Sequence, residues 1–148
     1  MLEKLLAYCR TRRFVARTEI ISPGDNADKL YYLISGSLTI CIENEQGKEI
    51  ILAYVNAGEF IGEICYFIPM EKRNVIVRTR TESHLAEISY VELNRLFENE
   101  LAEQRYPILM MFGEHLSRRL LKTSRKVGDL AFLDVTGRIA ATLQSLCK

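Results

Sequence analysis

Residues 29–64 read KLYYLISGSLTICIENEQGKEIILAYVNAGEFIGEI. They hold the short apolar runs KLYYLISG, SLTICIE and EIILAYV, rich in Ile, Val and Tyr, several of them alternating with period two. That is the pattern of half-buried strands. NVIVRT at 74–79 extends the series. Glycines at 24, 36, 47 and 58 recur every 11 or 12 residues, an interval that suits a strand plus a tight turn, repeated. The segment from Phe14 to Ile88 therefore reads as a jelly roll or related antiparallel barrel. A double sheet of this size encloses a small apolar interior, filled by side chains or left open for a ligand.

Helical patterns flank the strands. Leu2, Leu5, Leu6 and Cys9 stand at helical spacing and predict a short helix over 2–9. Ser89-Tyr-Val-Glu92 is a capping-box pattern, followed by Leu93, Leu96, Phe97 and Leu101 at helical spacing. Pro107 suits the first turn of a longer helix, where its missing N–H costs nothing. Along that helix Leu109, Gly113, Leu116, Leu120, Thr123, Val127 and Leu130 are spaced alternately by four and three, a heptad seam. Such a seam argues for pairing with the same helix of a second copy about a two-fold axis. The plainer alternative is a helix face packed only on its own barrel. Gly113 permits close approach of two helices, and Thr123 with Ser124 sets two hydroxyls at the seam, where a polar ligand could be met. The segment AFLDVTGR at 131–138 then breaks the heptad. Asp134 is the expected N-cap of a last helix with Val135, Ile139, Leu143 and Leu146 on one face. That face finds no cover in this sequence, so a piece of a longer protein is expected.

Composition sets the bounds. With 148 residues, 48% apolar and 26% charged, the chain suits one globular domain with an appendage. No apolar run is long enough to span a membrane, and MLEKLLAYCR lacks the uncharged core of a signal peptide, so a soluble cytoplasmic protein with no membrane partner is expected. The four cysteines, Cys9, Cys41, Cys65 and Cys147, form no C-x-x-C pair and suggest neither a zinc knuckle nor an iron–sulfur cage. A net charge of +1 gives no basic footprint for nucleic acid, so this stretch alone is not expected to grip DNA.

The candidate site lies in residues 58–67, GEFIGEICYF, together with Arg73 and Asn74. Gly62 lets backbone N–H groups approach a phosphate, and a short helix over 63–67 would turn its positive end to the same anion. Arg73 can offer a bidentate fork to phosphate oxygens, and Glu63 can accept from a ribose hydroxyl. The competing reading is a turn glycine beside a surface Glu–Arg ion pair.

KLYYLISGSL, EIILAYVNAGEFIGEI, KRNVIVRT, LAEISY and above all KTSRKVGDLAFLDVTGRIAATL at 122–143 resemble the catabolite activator, or cyclic AMP receptor, family of the Crp/Fnr superfamily. The likeness runs from about residue 14 to 148. It implies an α+β chain: an antiparallel jelly-roll (β-roll) cyclic-nucleotide-binding domain, then a long dimerisation helix and a short C-terminal helix. The implied divisions are 1–104 for the roll with its flanking helices, 107–130 for the dimerisation helix, and 131–148 for the hinge and first helix of a truncated DNA-binding domain. It further implies cyclic AMP as allosteric ligand, with no cofactor, held by Gly62, Glu63, Arg73 and Asn74 at the phosphate and ribose. Thr123 and Ser124 would meet the adenine, one of them from the partner copy, with Ile21, Ile40, Leu52, Ala53 and Ile64 as apolar lining. LAFLDV at 130–135 would be a hinge controlling a helix-turn-helix domain. Implied partners are a second copy and, for the full-length protein, promoter DNA and RNA polymerase. Asn74 departs from the serine of close relatives, though an amide still donates a hydrogen bond. The connection ENELAEQRYP at 98–107 is longer than is usual there.

Other classes leave thinner traces. His115 beside the seam is a possible haem ligand, but a histidine there is more often solvent-facing or satisfied by a neighbour. Cys9 alone cannot make the N-terminal cysteine cluster of an iron–sulfur sensor. Arg118, Arg119, Lys122, Arg125 and Lys126 read as a solvated basic face complementing the helix's negative end. A cupin-type metalloenzyme needs clustered histidines, whereas His84 and His115 stand apart, so no catalytic residue or metal ligand is assigned. A cyclic-nucleotide module of a channel or kinase would lack the seam and the 131–138 segment.

Overall fold

The computed structural model describes residues 1–146. In chain order the elements are α1 (Leu2–Leu6), β1 (Arg10–Phe14), β2 (Glu19–Ile21), β3 (Lys29–Ser35), β4 (Ser37–Glu43), β5 (Glu49–Asn56) and β6 (Phe60–Ile61). There follow α2 (Glu63–Phe67), β7 (Ile76–Thr79), β8 (Ser83–Ser89), α3 (Tyr90–Glu98) and α4 (Arg105–Leu146). The strands form two four-stranded sheets, ordered β1-β8-β3-β6 and β2-β7-β4-β5, with every pairing antiparallel. This is the expected β-roll.

Period-two alternation explains how one sheet serves two cores. On β3, Tyr31 and Leu33 point between the sheets, while Leu30 and Tyr32 point to the helices. The same division splits Phe60 from Ile61 on β6 and Ile88 from Leu85 on β8. The roll interior is sealed by Leu33, Leu38, Val55, Ile61 and Leu85. The helix-side core joins Leu5 of α1, Leu93, Leu96 and Phe97 of α3, Leu101, and Ile108 and Phe112 of α4. Ile108 and Phe112 are one helical turn apart, so a single face of the early α4 packs onto the sheet. Each such side chain contributes roughly 1.5–3 kcal/mol by leaving water. The β3–β4 turn closes tightly: a Cβ on Gly36, at φ 103°, would stand 2.3 Å from the Ser83 hydroxyl and 2.7 Å from the Glu82 carbonyl oxygen. Glycine is required there for both its left-handed backbone and its missing side chain.

Ser89 caps α3 as expected, its Oγ accepting from the Glu92 N–H at 3.1 Å. The reciprocal half of the capping box is absent, because the Glu92 carboxylate pairs with Arg95 at 2.7 Å instead.

Three expectations are corrected. First, α1 ends at Leu6 and not near Cys9, because the chain must turn to enter β1; the Cys9 thiol donates to the Leu5 carbonyl at 3.4 Å. Secondly, sheet structure begins before Phe14. The Arg-Thr-Arg-Arg stretch of β1 is an exposed edge strand, and its charge hides it from any apolar pattern. Thirdly, the segment 131–138 that breaks the heptad does not break the helix, and Asp134 is no N-cap: α4 continues to Leu146, with Asp134 paired to Arg138 one turn on at 3.1 Å. No proline interrupts this segment, so nothing removes a backbone donor. What changes at 131–138 is the phase of the apolar stripe. Continuing the seam leads from Leu130 to Asp134, whereas the stripe of Val135, Ile139, Leu143 and Leu146 starts one residue later, displaced by about 100° around the helix. A stripe can rotate on an unbroken helix.

The chain divides into two compact units. One is Met1–Leu116, taking in the start of α4, because Ile108 and Phe112 belong to the core beneath α3; the other begins at Ser117. Cys147 and Lys148, at the end of the expected last segment, lie outside the described residues.

Candidate functional site

β6 ends at Ile61, and Gly62 turns the chain at φ 89° into α2, whose first residue is Glu63. A Cβ on Gly62 would lie 2.7 Å from the Lys29 carbonyl oxygen and 3.2 and 3.3 Å from the two terminal nitrogens of Arg73. The loop glycine and the arginine therefore stand side by side. Arg73 is fixed from the backbone as well as the side chain. Its N–H donates to the Asp25 carbonyl at 2.8 Å, and its own carbonyl accepts from the Gly24 N–H at 2.9 Å. Its guanidinium donates to the Lys29 carbonyl at 2.5 Å.

The surface ion-pair alternative fails on burial: Glu63 is 0% and Arg73 6% exposed. Two tyrosines that the sequence did not single out complete the neighbourhood. The Tyr90 hydroxyl donates to the Gly62 carbonyl. Burial pushes the Tyr90 phenol up to about 12 against the opposing pull of nearby Arg73, so it remains a donor at neutral pH. Tyr31 is also raised, first by burial and then by the Glu87 carboxylate, with Arg73 acting against both. Glu87 itself is buried between Arg12 at 3.7 Å and Lys29 at 4.0 Å. No sequence signal marks these contacts, because which way a tyrosine hydroxyl points is set by tertiary packing.

The remaining expected residues fall into two groups. Ile21 is buried in the roll core, and Ile40 and Ala53 are half-buried. Ile40 pairs with Ala53 and Cys41 with Ile51, which leaves Leu52 as the extra residue of a β-bulge, 42% exposed. Ile64 is 48% exposed, and Asn74, next to Arg73, is exposed. The seam residues Leu109 and Leu116 are half-buried, whereas Gly113, Leu120, Thr123, Val127 and Leu130 are exposed on this chain, as is Ser124. Apart from its own helical backbone, nothing lies within 4 Å of where a Gly113 Cβ would stand. His115 is half-buried with its ring 5.4 Å from that of Phe60. Among the described residues no group of three or more His, Cys, Asp or Glu is placed to hold a metal ion, and no helix is long and apolar enough to cross a membrane.

A two-sheet roll with a glycine turn, a five-residue helix and an inward arginine defines the class, and the comparisons agree. The profile of the cyclic nucleotide-binding domain matches residues 11–100, and the chain belongs to that family. Its relatives are Crp-like. The CRP-like protein Clp of Xanthomonas euvesicatoria is 48% identical over 147 residues, 99% of this chain and 64% of that protein. The chain thus spans about two thirds of the length of the curated relatives it matches. A solved structure of the Xanthomonas campestris regulator CLP, described as c-di-GMP responsive, is 48% identical with a TM-score of 0.86, covering 97% of this chain and 69% of that one. The catabolite activator protein of Thermus thermophilus shares the fold, at 22% identity and a TM-score of 0.68 over 88% of this chain and 59% of its own.

Proposed function

We propose that this chain is the sensing and dimer-forming part of a Crp-like transcription regulator, and that cyclic AMP bound at Gly62, Glu63, Arg73 and Asn74 is its allosteric ligand. The observation that carries this reading is the convergence of Gly62, buried Glu63 and buried Arg73 at the β6–α2 turn. A cyclic phosphate would take the Arg73 guanidinium over from the Lys29 carbonyl, because its anionic oxygens add a full opposite charge and can accept the bidentate fork that a single neutral carbonyl cannot. Asn74 would add an amide donor, and Glu63 would accept from the ribose. Ile21, Ile40, Leu52, Ala53 and Ile64 would bound the sugar and base.

The exposed apolar stripe of Leu120, Val127 and Leu130 supports pairing of α4 with its counterpart in a second copy. Thr123 and Ser124 would then meet the adenine from two chains at once. A ligand held this way favours the dimer arrangement that binds it better, and shifts the population by that difference in affinity. No bond is made or broken. In the full-length protein the response would pass through residues 131–148 to a helix-turn-helix domain, promoter DNA and RNA polymerase in the cytoplasm.

A second ligand reading, cyclic di-GMP, is favoured by one observation: the relative described as responsive to it is 48% identical. Both ligands present a purine and a cyclic phosphodiester. Thermal unfolding of the purified chain with cyclic AMP, cyclic GMP, AMP and cyclic di-GMP separates them. A true ligand at one hundred times its dissociation constant adds roughly 2.7 kcal/mol of stability. Stabilisation by cyclic AMP and not AMP supports the first reading, stabilisation by cyclic di-GMP alone supports the second, and none with any nucleotide defeats both.

A further inference from the structure

Between the Gly62 turn and the helical layer stand two tyrosines that the reading above leaves without a role. Tyr90, the first residue of α3, reaches back so that its hydroxyl donates to the carbonyl of Gly62, the N-cap of α2. Tyr66, near the end of α2, reaches the other way, its hydroxyl donating to Asn94 Oδ1 of α3 at 2.6 Å. Their rings meet edge to face, with centroids 5.4 Å apart. Each helix therefore sends one tyrosine to the other. Burial raises both phenols, so both remain donors at neutral pH.

The two helices need this connection unequally. α2 has five residues, too few to hold a helix by its own hydrogen bonds. α3 is capped by Ser89 and anchored by Leu93, Leu96 and Phe97 in the core that also holds Ile108 and Phe112. We propose that Tyr66 and Tyr90 are positioning residues that buckle α2 to α3, so that the Gly62 turn and α3 move as one body. A ligand phosphate that draws Arg73 away from the Lys29 carbonyl then disturbs the Gly62–Tyr90 contact, and the disturbance is delivered to α3. This last step rests on the ligand site proposed above; the buckle itself does not.

Amide hydrogen exchange on the chain and on Tyr66→Phe, Tyr90→Phe and the double variant tests it, since phenylalanine keeps each ring and deletes only a hydroxyl. Without nucleotide, either single variant is expected to speed exchange of both helices, residues 63–67 and 90–98, roughly fivefold, while β3 and β8 are unchanged. Acceleration confined to the helix that carries the substitution, or no acceleration, overturns the buckle. With cyclic AMP or cyclic di-GMP in hundredfold excess, protection gained by α3 in the unaltered chain is expected to vanish in the double variant; its full retention also overturns the proposal. If neither nucleotide binds the unaltered chain, the ligand reading alone falls, and the exchange without nucleotide still decides the buckle.

Discussion

Gly62→Ala and Gly24→Ala form a matched pair that isolates the close approach at the β6–α2 turn. Both glycines are left-handed, at φ 89° and 92°. Forcing an L-residue into that region costs roughly 1–2 kcal/mol at either position. The two differ in what a methyl group meets. At Gly24 nothing stands within 4 Å, so the backbone penalty is the whole effect, roughly 1–2 kcal/mol. At Gly62 the methyl would lie 2.7 Å from the Lys29 carbonyl oxygen, which belongs to a strand residue paired with Ser89 and cannot swing aside like a side chain. Overpacking of this kind adds roughly 1–3 kcal/mol, giving a total of about 2–5 kcal/mol. Urea unfolding followed by circular dichroism measures both losses on the same scale. A Gly62→Ala chain no less stable than Gly24→Ala would refute the close approach, and with it the packing of Arg73 against the turn.

Three further outcomes follow from separate parts of the fold. Ser89→Ala should cost about 1 kcal/mol in urea unfolding, because the Glu92 N–H loses its acceptor while no core contact changes. Leu38→Ala, at 0% exposure between the sheets, should cost roughly 2–5 kcal/mol, whereas Val91→Ala, at 81% exposure on α3, should stay within about 0.5 kcal/mol; equal losses would contradict the assigned core. Cys9, its thiol pushed up to about 11 by burial, should alkylate far more slowly at pH 8 than an unfolded-chain thiol and accelerate toward pH 11. The sign for stability agrees: with the folded value above the unfolded one, the Cys9 contribution is intact below pH 9 and is lost as pH rises toward 11.

The roll was legible because its strands alternate. Tyr31 and Leu33 against Leu30 and Tyr32 is a period-two pattern that burial on both faces of the sheet reproduces. β1 was not legible, since an exposed edge strand of arginines buries too little to leave an apolar pattern. In α4 the heptad seam and its interruption were both visible, yet the interruption was misread. A shift from Asp134 to Val135 rotates the apolar stripe without removing a single backbone hydrogen bond, and only the backbone decides where a helix stops. At the site, residue type and spacing were enough to single out Gly62 and Arg73 as candidates. Their burial and the two tyrosine hydroxyls were not, because long-range packing determines both.

Sensing of a cyclic nucleotide through Arg73 at the Gly62 turn is checked by titration calorimetry of the chain and its Arg73→Ala variant with cyclic AMP, beside AMP and cyclic di-GMP. Binding of cyclic AMP is expected to be micromolar or tighter, binding of AMP weaker, and affinity to fall roughly ten- to a hundredfold in the variant. Cyclic nucleotide binding that is undiminished in Arg73→Ala, or no binding of either cyclic nucleotide to the unaltered chain, would contradict sensing through Arg73.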